Sequence, residues 1–205
     1  MNKKLLAGLL VGAVAMIPSA AFAEEDTIVV GYAQVGAESD WRTANTESFK
    51  STFVEENGYT LIFDDAQQKQ ENQIKAIRSF IQQDVDYIVV APVVETGWET
   101  VLQEAADAGI PVILSDRMMD VSDDSLYLCW VGGNFVKEGE DAGAWLAKYL
   151  EDNGRGEEEI NIVTIQGTIG ASAQIGRTEG FGNELAKHEN WKMLDMQSGE
   201  FTQAK

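Results

Sequence analysis

Seven short apolar runs rich in β-branched and aromatic residues recur along the chain, and a helix-length amphipathic pattern separates most successive pairs. The runs are TIVVGYA (27–33), YTLIFD (59–64), YIVVAP (87–92), PVILSD (111–116), LYLCWV (126–131), INIVTIQG (160–167) and WKMLDMQS (191–198). Most are continuous rather than alternating, as in strands covered on both faces. Strand alternating with helix in short segments implies βαβ units and a parallel sheet flanked by helices.

The helical patterns refine this. WRTANTESFKSTFVEEN predicts a stripe of Ala44, Ser48 and Thr52 with Phe49 and Phe53 beside it, and Asn57-Gly58 as a stop. QENQIKAIRSFIQQ repeats Ile74, Ile77 and Ile81, and GWETVLQEAADAG carries Trp98, Val101, Leu102 and Ala105. EGEDAGAWLAKYLEDNG predicts an apolar face of Ala142, Trp145, Leu146, Tyr149 and Leu150. In ASAQIGRTEGFGNELAKH, Gly176, Gly180 and Gly182 weaken the helix.

Five strands lead to about residue 131, where VGGNFVKEGE places two glycines, and a second β/α series opens at INIVTIQG. The expectation is an α/β fold of two lobes, each a doubly wound parallel sheet flanked by helices. The first lobe takes residues 24–132 and the second 133–205. Two strands do not bury a doubly wound sheet, so the second lobe is expected to be truncated, part of a longer chain.

Residues 1–23 stand apart. Lys3 and Lys4 precede an apolar stretch from Leu5 to Ile17, then Pro18 and the small residues Ala21 and Ala23. That is the pattern of a secretory signal cleaved after Ala23, and the apolar stretch is shorter than the roughly 20 residues that span a bilayer. The expected location is the periplasm, with no lipid-anchoring cysteine near the cut.

The formal charge is −19, and −21 without the two lysines of that segment. Such acidity repels phosphate backbones, which argues against nucleic acid as a partner. Cys129 is the one cysteine, so no intrachain disulfide forms, and its apolar neighbours predict a small buried core residue. One histidine, His188, and one cysteine exclude a Cys/His zinc cluster. GTIGASAQIG lacks the lysine and hydroxyl of a P-loop, VGYAQVG is not a dinucleotide fingerprint, and no serine elbow is present. No catalytic residue, cofactor or metal is expected.

In open parallel sheets ligands bind beyond the carboxyl ends of the strands. The residues just after each strand are therefore the candidates. After the first strand come Glu38, Ser39, Asp40, Trp41 and Arg42. Trp41 offers a flat face to a sugar ring or is the first core residue of a helix, and Arg42 adds a fork of donors. Glu38 and Ser39 accept hydroxyl protons, or Ser39 caps the helix; Asp40 reads as a cap. Asp116-Arg117, ending the fourth strand, pairs acceptors with a planar donor fork, matching paired hydroxyls, or is a local ion pair. Arg177, early in the helix after the sixth strand, reaches the cleft or is solvated.

Taken together, IVVGYAQVGAESDWR, the long stretch from DDAQQKQENQ to VILSDR, and QGTIGASAQIGRTEGF resemble type I periplasmic sugar-binding proteins of ABC importers, and within them the galactofuranose-binding branch. The resemblance covers essentially the whole chain after the signal. It implies a monomer of two lobes that closes on a monosaccharide and delivers it to a membrane permease, with Glu38 to Arg42, Asp116, Arg117 and Arg177 on the ligand. The chain departs from the pattern at Asp40, where a glycine is expected, and at Gly176, where a polar residue is usual. The same lobes also serve as sugar-sensing modules of chemotaxis or signalling systems, which is the alternative.

Overall fold

A computed structural model describes residues 27–204, so residues 1–23, the expected signal, lie outside the described residues. The elements run β1 (Ile28–Gln34), α1 (Asp40–Thr52), β2 (Tyr59–Asp65), α2 (Gln70–Gln82), β3 (Tyr87–Val90), α3 (Glu99–Asp107), β4 (Val112–Asp116) and β5 (Cys129–Gly132). Then follow α4 (Phe135–Asp152), β6 (Ile160–Gln166), α5 (Ser172–Leu185) and β7 (Trp191–Ser198). The first five strands form one parallel sheet in the order β2-β1-β3-β4-β5, and β6 pairs with β7 in a second parallel sheet.

The chain leaves β1 for β2 on one side and returns to β3 on the other. The carboxyl ends of β1 and β3 are therefore the switch point of the sheet, where a crevice opens. Both faces of this sheet are covered, which explains its continuous apolar runs. On one face Ile88, Val90 and Leu114 pack with Ile77, Phe80, Trp98 and Leu102 of the α2–α3 side. On the other, Val30, Tyr32 and Val89 meet Phe49 of α1 and Phe53 just after it.

Three expectations fail for stated reasons. The inner face of α1 is not the Ala44, Ser48, Thr52 stripe, all exposed, but Arg42, Asn45, Thr46 and Phe49. The first turns of α1 look towards the crevice, so their buried side chains are polar and a hydrophobicity pattern misses them. Cys129 is exposed rather than in the core, because β5 is the outermost strand of its sheet. The strands of the second sheet are covered on one face only, leaving Val163 and Ile165 at 70% and 82% exposure, with Leu194 and Met196 also exposed.

The helices α4 and α5 also pack differently from their sequence pattern. The buried line of α4 runs through Phe135, Gly139, Gly143 and Leu150, while Trp145 and Tyr149 are exposed and stack on each other. The glycines let the two backbones meet. A Cβ at Gly139 would stand 2.3 Å from the Arg177 carbonyl oxygen, and one at Gly180 would stand 1.9 Å from that of Val136. Two of the three glycines that weaken α5 as a helix, Gly176 and Gly180, are thus the surface by which it docks.

Two substitutions separate these effects. Gly180→Ala should destabilise the protein by about 1–3 kcal/mol through overpacking. Gly182→Ala, with nothing within 4 Å of the new Cβ, should stabilise it by about 0.5–1 kcal/mol through helix propensity. Urea unfolding of both variants checks the opposite signs.

Candidate functional site

The backbone at the end of β4 sets the site. Asp116 has φ of 63°, a left-handed conformation that aspartate tolerates better than most residues. Arg117 N–H donates to the Ser115 carbonyl at 2.7 Å, and Trp130 Nε1 donates to the Asp116 carbonyl at 3.1 Å. This tight reversal turns both the Asp116 carboxylate and the Arg117 side chain into the crevice.

From the other side of the switch point, Ser39 caps α1 by accepting the Arg42 N–H at 3.1 Å. The cap is therefore Ser39, and Asp40 is the first helical residue. Arg42, 2% exposed, reaches across the end of β3. Its Nη2 donates to Asp116 Oδ2 at 2.6 Å and its Nε to Glu38 Oε1 at 3.1 Å. Arg117 donates through Nη2 to the same Glu38 oxygen at 3.4 Å and through Nη1 to the Val93 carbonyl at 3.2 Å. Two arginines and two carboxylates thus alternate in a closed set, with the Glu38 side chain only 2% exposed.

Distance decides how each guanidinium responds. Burial weakens the hold of both on their protons. For Arg42 the close Asp116 and Glu38 outweigh it and raise the pKa, whereas Arg117, farther from both and repelled by Arg42, is pulled down to about 10. Burial pushes the Tyr32 phenol beneath this set well above its ordinary value. Tyr32 donates to Asn45 Oδ1 at 2.9 Å, and Gln34 donates to Asn45 and Thr46, which fixes the inner face of α1. Among the described residues, Glu38 Oε2 and Arg42 Nη1 are buried without a hydrogen-bond partner, one an acceptor and one a donor.

A cavity of about 430 Å³ lies over this set, between the two sheets. Glu38, Ser39, Trp41, Arg42, Asp116 and Arg117 line it from the first lobe, and Phe135, Glu138, Arg177 and Phe201 from the second. Seven of the eight residues singled out from the sequence meet here; Asp40 is exposed at the start of α1 and is not part of the lining. Trp41 is 58% exposed, so it is not the first core residue of its helix, and the Arg42 guanidinium lies 4.9 Å from its ring. Arg177 pairs with Glu138 at 2.8 Å and lies 5.0 Å from the Phe135 ring. Gly176 beside it leaves room for Phe135, whose Cβ a side chain there would meet at 2.7 Å.

Phe201, Phe135 and Glu138 were not among the sequence candidates. Phe201 sits 5.1 Å from the Arg117 guanidinium and shares the lining with Trp41. Its ring fills the space over Gly167, where a Cβ would stand 1.9 Å away. The signal was available, since Phe201 follows β7 at a strand carboxyl end, the same position that marked the other candidates. A larger cavity of about 810 Å³ runs along α4, α5, β6 and β7, but its lining is mainly apolar and lacks the first-lobe residues. The smaller cavity has the convergent donors, acceptors and aromatic faces of a polar-ligand site, and its volume suits a small molecule.

The two lobes also touch beside the cavity. Glu95 N–H donates to the Gly170 carbonyl at 2.8 Å, and Met118 N–H donates to Ser172 Oγ at 2.9 Å. A doubly wound first sheet, a second parallel sheet and a charged, aromatic-lined cleft between them are the arrangement of a two-lobed binding fold. Residues 30–205 match the model of the periplasmic binding protein domain, and the chain belongs to that family.

Particular relatives narrow the likeness. Over 178 residues the chain is 51% identical to the galactofuranose-binding protein YtfQ of Escherichia coli K12, a match covering 87% of this chain and 54% of the relative. A Mycobacterium smegmatis protein solved in complex with β-D-fucofuranose superposes with a TM-score of 0.81 at 50% identity, covering 86% of this chain and 57% of the other. The binding component of the arabinose ABC transporter of Shewanella sp. ANA-3, solved with L-arabinofuranose, gives 0.79 at 48% identity, covering 86% and 56%. The chain spans about half the length of the curated relatives it matches.

The buried charges make a direct prediction. Glu38→Ala leaves two guanidinium groups buried beside one carboxylate, and should lower the unfolding free energy by about 3–5 kcal/mol. Denaturant unfolding measures it; a loss below about 1 kcal/mol, the range of surface pairs, would contradict the buried geometry.

Proposed function

We propose that the protein is an extracytoplasmic solute-binding protein that captures an uncharged monosaccharide in its furanose form, galactofuranose or a related sugar, and delivers it to the membrane permease of an ABC importer. In this reading residues 1–23 are an export signal cleaved after Ala23, residues 24–132 and 133–205 belong to two lobes, and the protein works as a monomer in the periplasm without catalysing a reaction.

The observation that carries the reading is the alternating set of Arg42, Glu38, Arg117 and Asp116 under a cleft walled by Trp41 and Phe201. Hydroxyl groups donate to carboxylates and accept from guanidinium groups, so a polyol satisfies both kinds of partner at once. The aromatic rings suit the C–H faces of a sugar. Arg177, held by Glu138, contributes from the second lobe, Ser39 adds a hydroxyl at the rim, and Asp40 places a negative charge at the mouth. Furanose sugars are favoured because the three relatives described above, at 48–51% identity, are named for, or solved with, a furanose.

Paired positive and negative groups leave the lining formally balanced, with Arg42, Arg117 and Arg177 set against Glu38, Asp116 and Glu138. An anionic sugar finds no excess positive charge to offset its desolvation. Calorimetry on the full-length protein should therefore detect equilibrated D-galactose or L-arabinose but not D-galactonate or galactose 1-phosphate. Tighter binding of the anions would refute the reading.

Substitutions test the residues. Asp116→Asn keeps a residue that tolerates the left-handed backbone and removes the charge, so the fold should persist while sugar affinity falls about tenfold or more. Trp41→Ala, at an exposed position, should act likewise. Unchanged affinity in both variants would remove these residues from the site.

A further inference from the structure

We propose that Gln73, which does not line the cleft, positions Arg117 for the sugar and thereby sets affinity. The inference rests on the sugar-binding reading for what Arg117 touches, and on the geometry alone for how Arg117 is held.

Gln73 sits on α2 with no exposed surface. Its side chain lies where the β1–β3 ladder ends, beside the last bond between the two strands, from the Ala91 N–H to the Ala33 carbonyl at 3.2 Å. Nε2 donates to the carbonyls of Ala33 at 3.2 Å and Ala91 at 2.7 Å, and Oε1 accepts the Val93 N–H at 2.9 Å. One amide thus joins the two strand ends at the switch point and holds the segment that follows β3. The Val93 carbonyl, on the same residue, accepts Arg117 Nη1 at 3.2 Å, and the Pro92 carbonyl stands at 3.5 Å from it.

The bonds of Arg117 are long. Its contact with Glu38 is 3.4 Å, and that with Asp116 is 4.0 Å. Arg42 instead makes carboxylate contacts of 2.6 and 3.1 Å and takes nothing from the Val93 segment. A shift of Val93 by a few tenths of an ångström therefore reaches Arg117 directly and Arg42 only through the Glu38 oxygen they share. Trp98 Nε1 fixes the next residue by donating to the Val94 carbonyl at 2.8 Å, and beyond it the Glu95 N–H meets Gly170 of the second lobe. Gln73 therefore anchors a segment that carries a ligand-facing arginine on one side and an interlobe hydrogen bond on the other.

The test uses the full-length protein with equilibrated D-galactose and L-arabinose as probes. Gln73→Met keeps the length and removes the hydrogen bonds. Its sugar affinity should fall about tenfold, whereas in an Arg117→Lys background the same substitution should cost less than about twofold, because the residue it acts through is already altered. Equal costs in the two backgrounds would overturn the proposal. The Arg117 side-chain Nε–Hε resonance of the sugar-free protein should move in Gln73→Met by more than that of Arg42; an unmoved Arg117 resonance would also overturn it. That readout needs no ligand, so it separates failure here from failure of the sugar reading, which would show as wild-type protein binding neither sugar. If Gln73→Met does not fold, Gln73→Glu takes its place. A protonated glutamic acid can donate to the Ala91 carbonyl while accepting from Val93, and its carboxylate cannot, so affinity should rise towards wild type as pH falls. A pH profile parallel to that of the wild type would contradict the role.

Discussion

Burying two guanidinium groups and two carboxylates at the mouth of a parallel sheet is the constraint on which the rest of the molecule depends. Isolated, each of these charges would be too costly to remove from water; alternated, each has an opposite neighbour. That arrangement requires the left-handed turn at Asp116, the cap that starts α1 at Ser39, and the polar inner face of α1 formed by Asn45 and Thr46. It also leaves Glu38 Oε2 and Arg42 Nη1 buried without a hydrogen-bond partner, on two residues that line the cavity. Fold and site share one cause: the switch point opens a crevice, and the crevice is where the charges can be both shielded and reached.

The second lobe is built on a different principle. Its helices approach through Gly139, Gly143, Gly176 and Gly180, and the close backbone contact brings α4 and α5 to the cleft, with Glu138 and Arg177 paired across them. Its sheet is covered on one side, and its exposed face carries Val163, Ile165 and Leu194. The cleft needs this lobe for Phe201 and Arg177, and the first lobe for everything that bears a buried charge.

Much of the architecture was legible because strand identity is carried by β-branched runs, and site position by the rule that places ligands at strand carboxyl ends. Asp116, Arg117, Trp41 and Arg42 were found by that rule and stand together in the cavity. Phe201 obeys the same rule after β7. Cys129 and the α1 stripe were misread for a physical reason. Apolar character marks a strand without saying that it lies at the edge of its sheet, and hydrophobic periodicity has no power where the buried face of a helix is polar. Gln73 is invisible to sequence reasoning, because its role lies in backbone groups that come together only where the β1–β3 ladder ends.

A crystal structure of the full-length protein with equilibrated L-arabinose or D-galactose tests the central claim most directly. The account predicts a furanose ring between Trp41 and Phe201, with hydroxyls donating to Glu38 or Asp116 and accepting from Arg42 and Arg117. A sugar bound in the larger apolar cavity beside α4, or a cleft whose four buried charges make no contact with the bound sugar, would contradict it.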